Sequence, residues 1–123
     1  MSGLKQAAEK VRAARHKKWL NAWDEWELTT FADHIISKLK RADNCPAELN
    51  ECLIDAYNYA MELRRRLSGD ELKITDHLII KLEQIWGHRR GLSPISPMRI
   101  HNELDVALFR AVELKRRLLG GRA

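Results

Sequence analysis

The feature that most constrains this chain is a ten-residue segment that occurs twice. Ala60–Gly69 reads AMELRRRLSG, and Ala111–Gly120 reads AVELKRRLLG. Seven of the ten positions are identical, and Arg64/Lys115 keeps its charge. A second echo precedes each copy: Asp33–Lys40 is DHIISKLK and Asp76–Glu83 is DHLIIKLE. The echoes come in the same order, and Pro46 and Pro97 fall at the same 51-residue offset as the basic segments. One helical hairpin written twice accounts for all of this. Each hairpin has one apolar face to cover, and the other hairpin is the natural cover. The expectation is an all-α protein of about five helices: two similar α-hairpins related by internal duplication, preceded by an N-terminal helix that is basic and tryptophan-bearing.

The apolar spacing agrees. Residues 4–26 have no helix breaker, and Ala7, Ala8, Ala13 and Ala14 favour helix. The first half offers only a thin apolar side, Leu4, Ala8 and Val11, which predicts a solvated terminus. The second half sets Trp19, Trp23 and Trp26 on one helical face, predicted to be buried. Leu28, Phe31, Ile35, Leu39 and Ala42 give the next stripe, either capped by Thr30 or continuing unbroken from the Trp face. Pro46 opens a helix over about 47–67, and Gly69 is expected to close it as a C-cap. A helix beginning at Asp70 carries Leu72, Ile74, Leu78, Ile79, Leu82, Ile85 and Trp86, apolar around much of its girth. It is expected to be the most buried of the set. Residues 87–97 form the longest loop, and a last helix runs from about 98 to 119. The organisation read from sequence is therefore a basic helix over 1–26 and a duplicated bundle over 27–123, its hairpins at 27–69 and 70–120, in a single domain.

Net charge is +5, but it is segregated. Residues 1–18 carry +5, residues 19–85 carry −5 and residues 86–123 carry +5. The cations gather in four places: Arg12, Arg15, Lys17 and Lys18; Arg64, Arg65 and Arg66; Arg89 and Arg90; and Lys115, Arg116 and Arg117. Cations in a last helical turn are favoured by the helix dipole. Three in a row point in three directions, however, and such clusters suit sequence-nonspecific contacts to DNA or RNA phosphates. No aromatic residue interleaves with the last three of these in sequence, so base stacking receives no support there.

Reactive motifs are missing. There is no glycine-rich phosphate loop, GxSxG or HExxH, and Cys45 and Cys52 match no zinc or redox spacing. Glu48, Glu51 and Asp55 make an acidic edge like that of helical metal-dependent pyrophosphatases, but the second acidic helix such enzymes need is absent. Asp33-His34 and Asp76-His77 have the wrong spacing for a helical di-metal site and read as surface pairs. The expectation is a protein that is not an enzyme and takes no cofactor or metal. With no apolar run near the roughly 20 residues of a membrane span, and no apolar signal core, it is expected to be cytoplasmic with reduced thiols.

Two functions fit. The first is a non-catalytic nucleic-acid-binding protein, or a small helical subunit of a nucleoprotein complex, using the basic clusters. The second is a protein–protein interaction module: an adaptor, an inhibitor or a self-assembling virion-type protein, in which basic ends of one copy meet the acidic middle of another. Either way the chain is expected to work as a homo-oligomer or as a subunit of a complex, away from membranes.

Overall fold

The computed structural model describes residues 3–23, 26–89 and 97–120, without the side chains at 15–23, 89, 97 and 98. Five α-helices make up nearly all of it: α1 (Gly3–Trp23), α2 (Leu28–Asn44), α3 (Leu49–Arg66), α4 (Gly69–Arg89) and α5 (Pro97–Gly120). There is no strand among the described residues. A short 3-10 turn at Pro46–Glu48 leads into α3, so Pro46 does open that element, in its tighter form. None of the described helices is long and apolar enough to cross a membrane.

Helices α2 to α5 form a closed ring in chain order. Helix α2 packs on α3 and α5, and α4 packs on α3 and α5. Neighbours run antiparallel. Lys115 near the end of α5 bonds Asp33 near the start of α2, while His101 near the start of α5 bonds Asp43 near the end of α2. Lys38–Asp55 joins α2 to α3, and Arg64–Asp76 joins α3 to α4.

The core is the set of stripes facing the ring's interior. Phe31, Ala32, Ile35, Leu39 and Ala42 of α2 are buried, and the residues 43 positions later on α4, Ile74, Thr75, Leu78, Leu82 and Ile85, are buried too. Leu53, Ala56, Ala60 and Leu63 of α3 are buried, as are their counterparts 51 positions later on α5, Leu104, Ala107, Ala111 and Leu114. Burial thus follows both offsets of the repeat. Each large aliphatic or aromatic side chain in this set contributes about 1.5–3 kcal/mol on leaving water. Thr75 is tolerated in the core because its hydroxyl donates to the Glu71 carbonyl at 2.8 Å.

Several local expectations change. Helix α1 ends at Trp23, so Trp26 is not on its face. Trp26 lies in the turn into α2, half-buried, with its ring 4.8 Å from that of His34. The side chains of Trp19 and Trp23 lie outside the described residues. The thin side of α1 is not solvated: Leu4 and Ala8 are fully buried against the bundle, and α1 packs across α3 and α4. Helix α2 starts at Leu28 with Glu27 as its cap residue and no side-chain cap bond, so Thr30 is not the cap. Helix α3 ends at Arg66, with the Leu67 amide bonded to the Leu63 carbonyl. Gly69 adopts φ +64 and opens α4; the conformation an L residue avoids is needed to reverse the chain within two residues of the helix end. Helix α4 runs through Gly87 to Arg89, shortening the expected loop.

The most buried helix is α3, not α4. Asp55, Tyr57, Asn58, Tyr59 and Glu62 join its apolar stripe in the interior. The reason is geometric. Helix α3 is flanked by α2 and α4 in the ring and also lies under α1. No apolar periodicity marks that third face, because its buried residues are polar.

Deleting core volume in α3 is expected to be costly. Leu63→Ala should destabilise the fold by about 2–5 kcal/mol in urea denaturation. Phe109→Ala, on the outer face of α5, should shift the midpoint far less.

Candidate interaction surfaces

The third face of α3 is built around Glu62, which is 2% exposed. A buried carboxylate needs compensating charge and hydrogen bonds. Arg12 reaches it from α1, Arg65 donates to Oε1 at 3.2 Å and Arg66 to Oε2 at 3.4 Å. One turn earlier, Asn58 donates from Nδ2 to the Ala8 carbonyl at 3.2 Å. These two polar contacts fix α1 over α3, with Leu4 and Ala8 beneath it.

The same contacts account for part of the predicted nucleic-acid surface. Arg12 and Arg66 are half-buried around Glu62. Arg64 is held by Asp76 at 2.7 Å, Lys115 by Asp33 at 2.6 Å and Arg117 by Asp70 at 3.8 Å. Arg65 pairs with Glu62 yet keeps 65% of its side chain exposed. Arg116 is exposed with no ion pair among the described residues. The side chains of Arg15, Lys17, Lys18 and Arg89, and all of Arg90, lie outside the described residues.

The ion pairs are exchanged between hairpins. Asp33 of the first hairpin takes Lys115 of the second, and Asp76 of the second takes Arg64 of the first. The repeated Asp–His segments are therefore anchors for the repeated basic segments. Only the aspartates act so. His77 is exposed, while His34, read as a surface residue, is half-buried in a three-ring cluster with Trp26 and Tyr59, its ring centroid 4.8 and 5.2 Å from theirs. Aromatic groups do approach a basic cluster in space, which the linear sequence hid: the Arg66 guanidinium lies 4.8 Å from the Phe31 ring centroid. Phe31 and Tyr59 are themselves buried, so this group packs on itself.

Toward the opposite end of the bundle, Glu48 and Asp55 of the acidic edge are engaged. Arg41 grips Glu48 through two bonds of 2.8 and 2.9 Å, which hold the Glu48 carboxyl below its usual range. Asp55 is buried and paired with Lys38 at 3.1 Å. Nearby, one ligand atom from each of Asp43, His101 and Asp105 lies within 4.8 Å of the others. Both ring nitrogens of His101 already face carboxylates: Nδ1 is 2.6 Å from Asp43 and Nε2 is 3.4 Å from Asp105. This is a clasp for an imidazolium. The hydrogen bond to Asp43, with the charge of Asp105, raises the His101 pKa above its ordinary value. Cys52 is buried, which pushes its thiol up, and both cysteines are free.

The outer face of α5 is different in kind. Val106, Phe109 and Val112 are 46%, 60% and 41% exposed. Their counterparts on α3, 51 residues earlier, are Asp55, Asn58 and Met61, of which the first two are buried. Polarity and burial are thus inverted between matching faces. The polar face of α3 is covered, and the apolar face of α5 is open. The sequence carried a signal for this: at 100° per residue these three residues lie opposite the Leu104/Ala107/Ala111/Leu114 stripe.

No protein-family model matches this chain, and neither the curated proteins nor the solved structures contain a significant match to it.

Two predictions test these contacts. Glu62→Ala leaves three arginines around a buried void and should destabilise the fold by about 3–5 kcal/mol. Arg12→Ala should be milder, because Arg65 and Arg66 remain, and urea midpoints of the two variants will rank them. The second concerns pH. A histidine whose folded pKa is raised stabilises the fold fully below the unfolded value of 6.5, and that contribution is lost as pH rises through the higher folded pKa. The gap in denaturation midpoint between the wild type and His101→Gln should therefore be widest in acid and close above neutrality.

Proposed function

We propose that this chain is a non-catalytic protein-interaction module built from two related helical hairpins, and that it docks through the outer face of α5. The observation that carries this reading is the inversion just described. A helix that leaves Phe109 and two valines in water, while its counterpart hides Asp55 and Asn58, has an apolar face suited to a partner. The intramolecular ion pairs point the same way. Arg64, Lys115 and Arg117 hold helices together across the bundle, so their clustering in sequence has a structural use.

One observation favours nucleic acid as a second reading. Antiparallel packing brings the C-terminal ends of α3 and α5 to the same end of the ring. Both basic clusters share that end, and Arg65 and Arg116 remain exposed there. Two cationic patches on one surface suit contacts to a phosphate backbone.

A retention experiment separates the readings. Tagged wild-type chain and a Phe109→Glu variant are incubated with extract of the native host, with and without nuclease. The interaction reading expects a protein retained by the wild type in both conditions and lost with Phe109→Glu. Retention that disappears with nuclease and is indifferent to Phe109 would replace it with the nucleic-acid reading.

A further inference from the structure

We infer that the partner of the α5 face is a second copy of the same chain, bound as an antiparallel α5–α5 pair about a twofold axis near Phe109. The inference rests on reading that face as a docking surface and names its occupant.

The order of residues along the helix points to this pairing. Opposite the core stripe, the outward face of α5 carries Asn102, Asp105, Val106, Phe109, Val112, Glu113 and Arg116. Along one side of it Asp105 is toward the N-terminal end and Arg116 toward the C-terminal end, while Glu113 lies on the other side. A twofold contact sets each residue against one at the mirrored position of the other copy. With the axis at Phe109, Phe109 meets Phe109 of the partner subunit, and Val106 and Val112 flank it on the two sides of the seam. Asp105 and Arg116 lie on the same side of this face, so each Asp105 comes within reach of the partner's Arg116, and the pair forms twice. Parallel pairing would instead set like charges together.

The charges involved are available. Arg116 is the member of the C-terminal basic cluster with no ion pair among the described residues. Asp105 faces the far nitrogen of His101 at 3.4 Å and keeps 57% of its side chain exposed, so it can take a second cation. The bundle already contains a helix laid across a matching surface: α1 covers the equivalent face of α3, using a small apolar side and one Arg–Glu pair. The partner's α1 is not the occupant, because Leu4 and Ala8 are buried at its own α3 and Arg12 is engaged with Glu62. What a second copy can offer is its own open face. A single helix–helix contact lies at the small end of specific interfaces, so dissociation in the micromolar range is expected.

Sedimentation velocity of the purified chain tests this. The wild type should move from 14.3 kDa toward twice that mass as concentration rises. Phe109→Glu should hold the monomer at every concentration with an unchanged thermal melt, since the residue is exposed. Asp105→Arg and Arg116→Asp should each weaken the dimer at least tenfold, and the double exchange should restore it. A wild type that stays monomeric throughout overturns the self-pairing, as does a dimer indifferent to Phe109→Glu or one that the double exchange does not rescue. Phe109-dependent retention of a different protein from host extract, with a monomeric pure chain, would leave the docking face standing and remove only this occupant.

Discussion

Much of this molecule depends on how one buried carboxylate is neutralised. Glu62 sits in the repeated ELxRRL segment, at a position whose counterpart, Glu113, stays half-buried beside Arg110. A carboxylate taken out of water without partners would oppose folding by several kcal/mol. Arg65 and Arg66 come from its own helix, and Arg12 comes from α1. Closing that charge cluster draws α1 across the bundle, where Leu4 and Ala8 are buried and Asn58 finds the Ala8 carbonyl. One face of α3 is closed, while the matching face of α5 stays open.

The ring beneath is held by a different logic. Its apolar stripes repeat with the sequence, and its corners are tied by charges exchanged between hairpins, Asp33 with Lys115 and Asp76 with Arg64. Such exposed pairs are each worth about 0–1 kcal/mol. Their value here is in register: antiparallel neighbours that slid by a turn would separate these partners. The basic segments therefore serve the fold first. What they leave for outside contacts is narrower than the sequence implied, chiefly Arg65 and Arg116.

The asymmetry produced by α1 also defines the exposed chemistry. On α3 a polar face is shielded; on α5 an apolar face is left to solvent, flanked by an acidic and a basic residue. The functional reading follows from that contrast. The titratable groups at the other end of the bundle pair among themselves, Arg41 with Glu48, Lys38 with Asp55, and His101 with Asp43 and Asp105.

The sequence by itself determined the helices, the two hairpins and the inward stripes. Periodic apolar spacing and repeated segments are local properties, and Leu53, Ala56, Ala60 and Leu63 were legible for that reason. Phe109 and Val106 were legible in principle, as apolar residues on the wrong side of α5. The tertiary structure alone decided where α1 lies, why Asp55, Asn58 and Glu62 are buried, and which cations are left exposed. It also decided that His34 clusters with the rings of Trp26 and Tyr59. Each of these depends on charges or rings brought together from distant parts of the chain, Arg12 to Glu62 or Lys115 to Asp33. No window of sequence records which distant carboxylate a given arginine will meet, because that pairing exists only once the helices have packed.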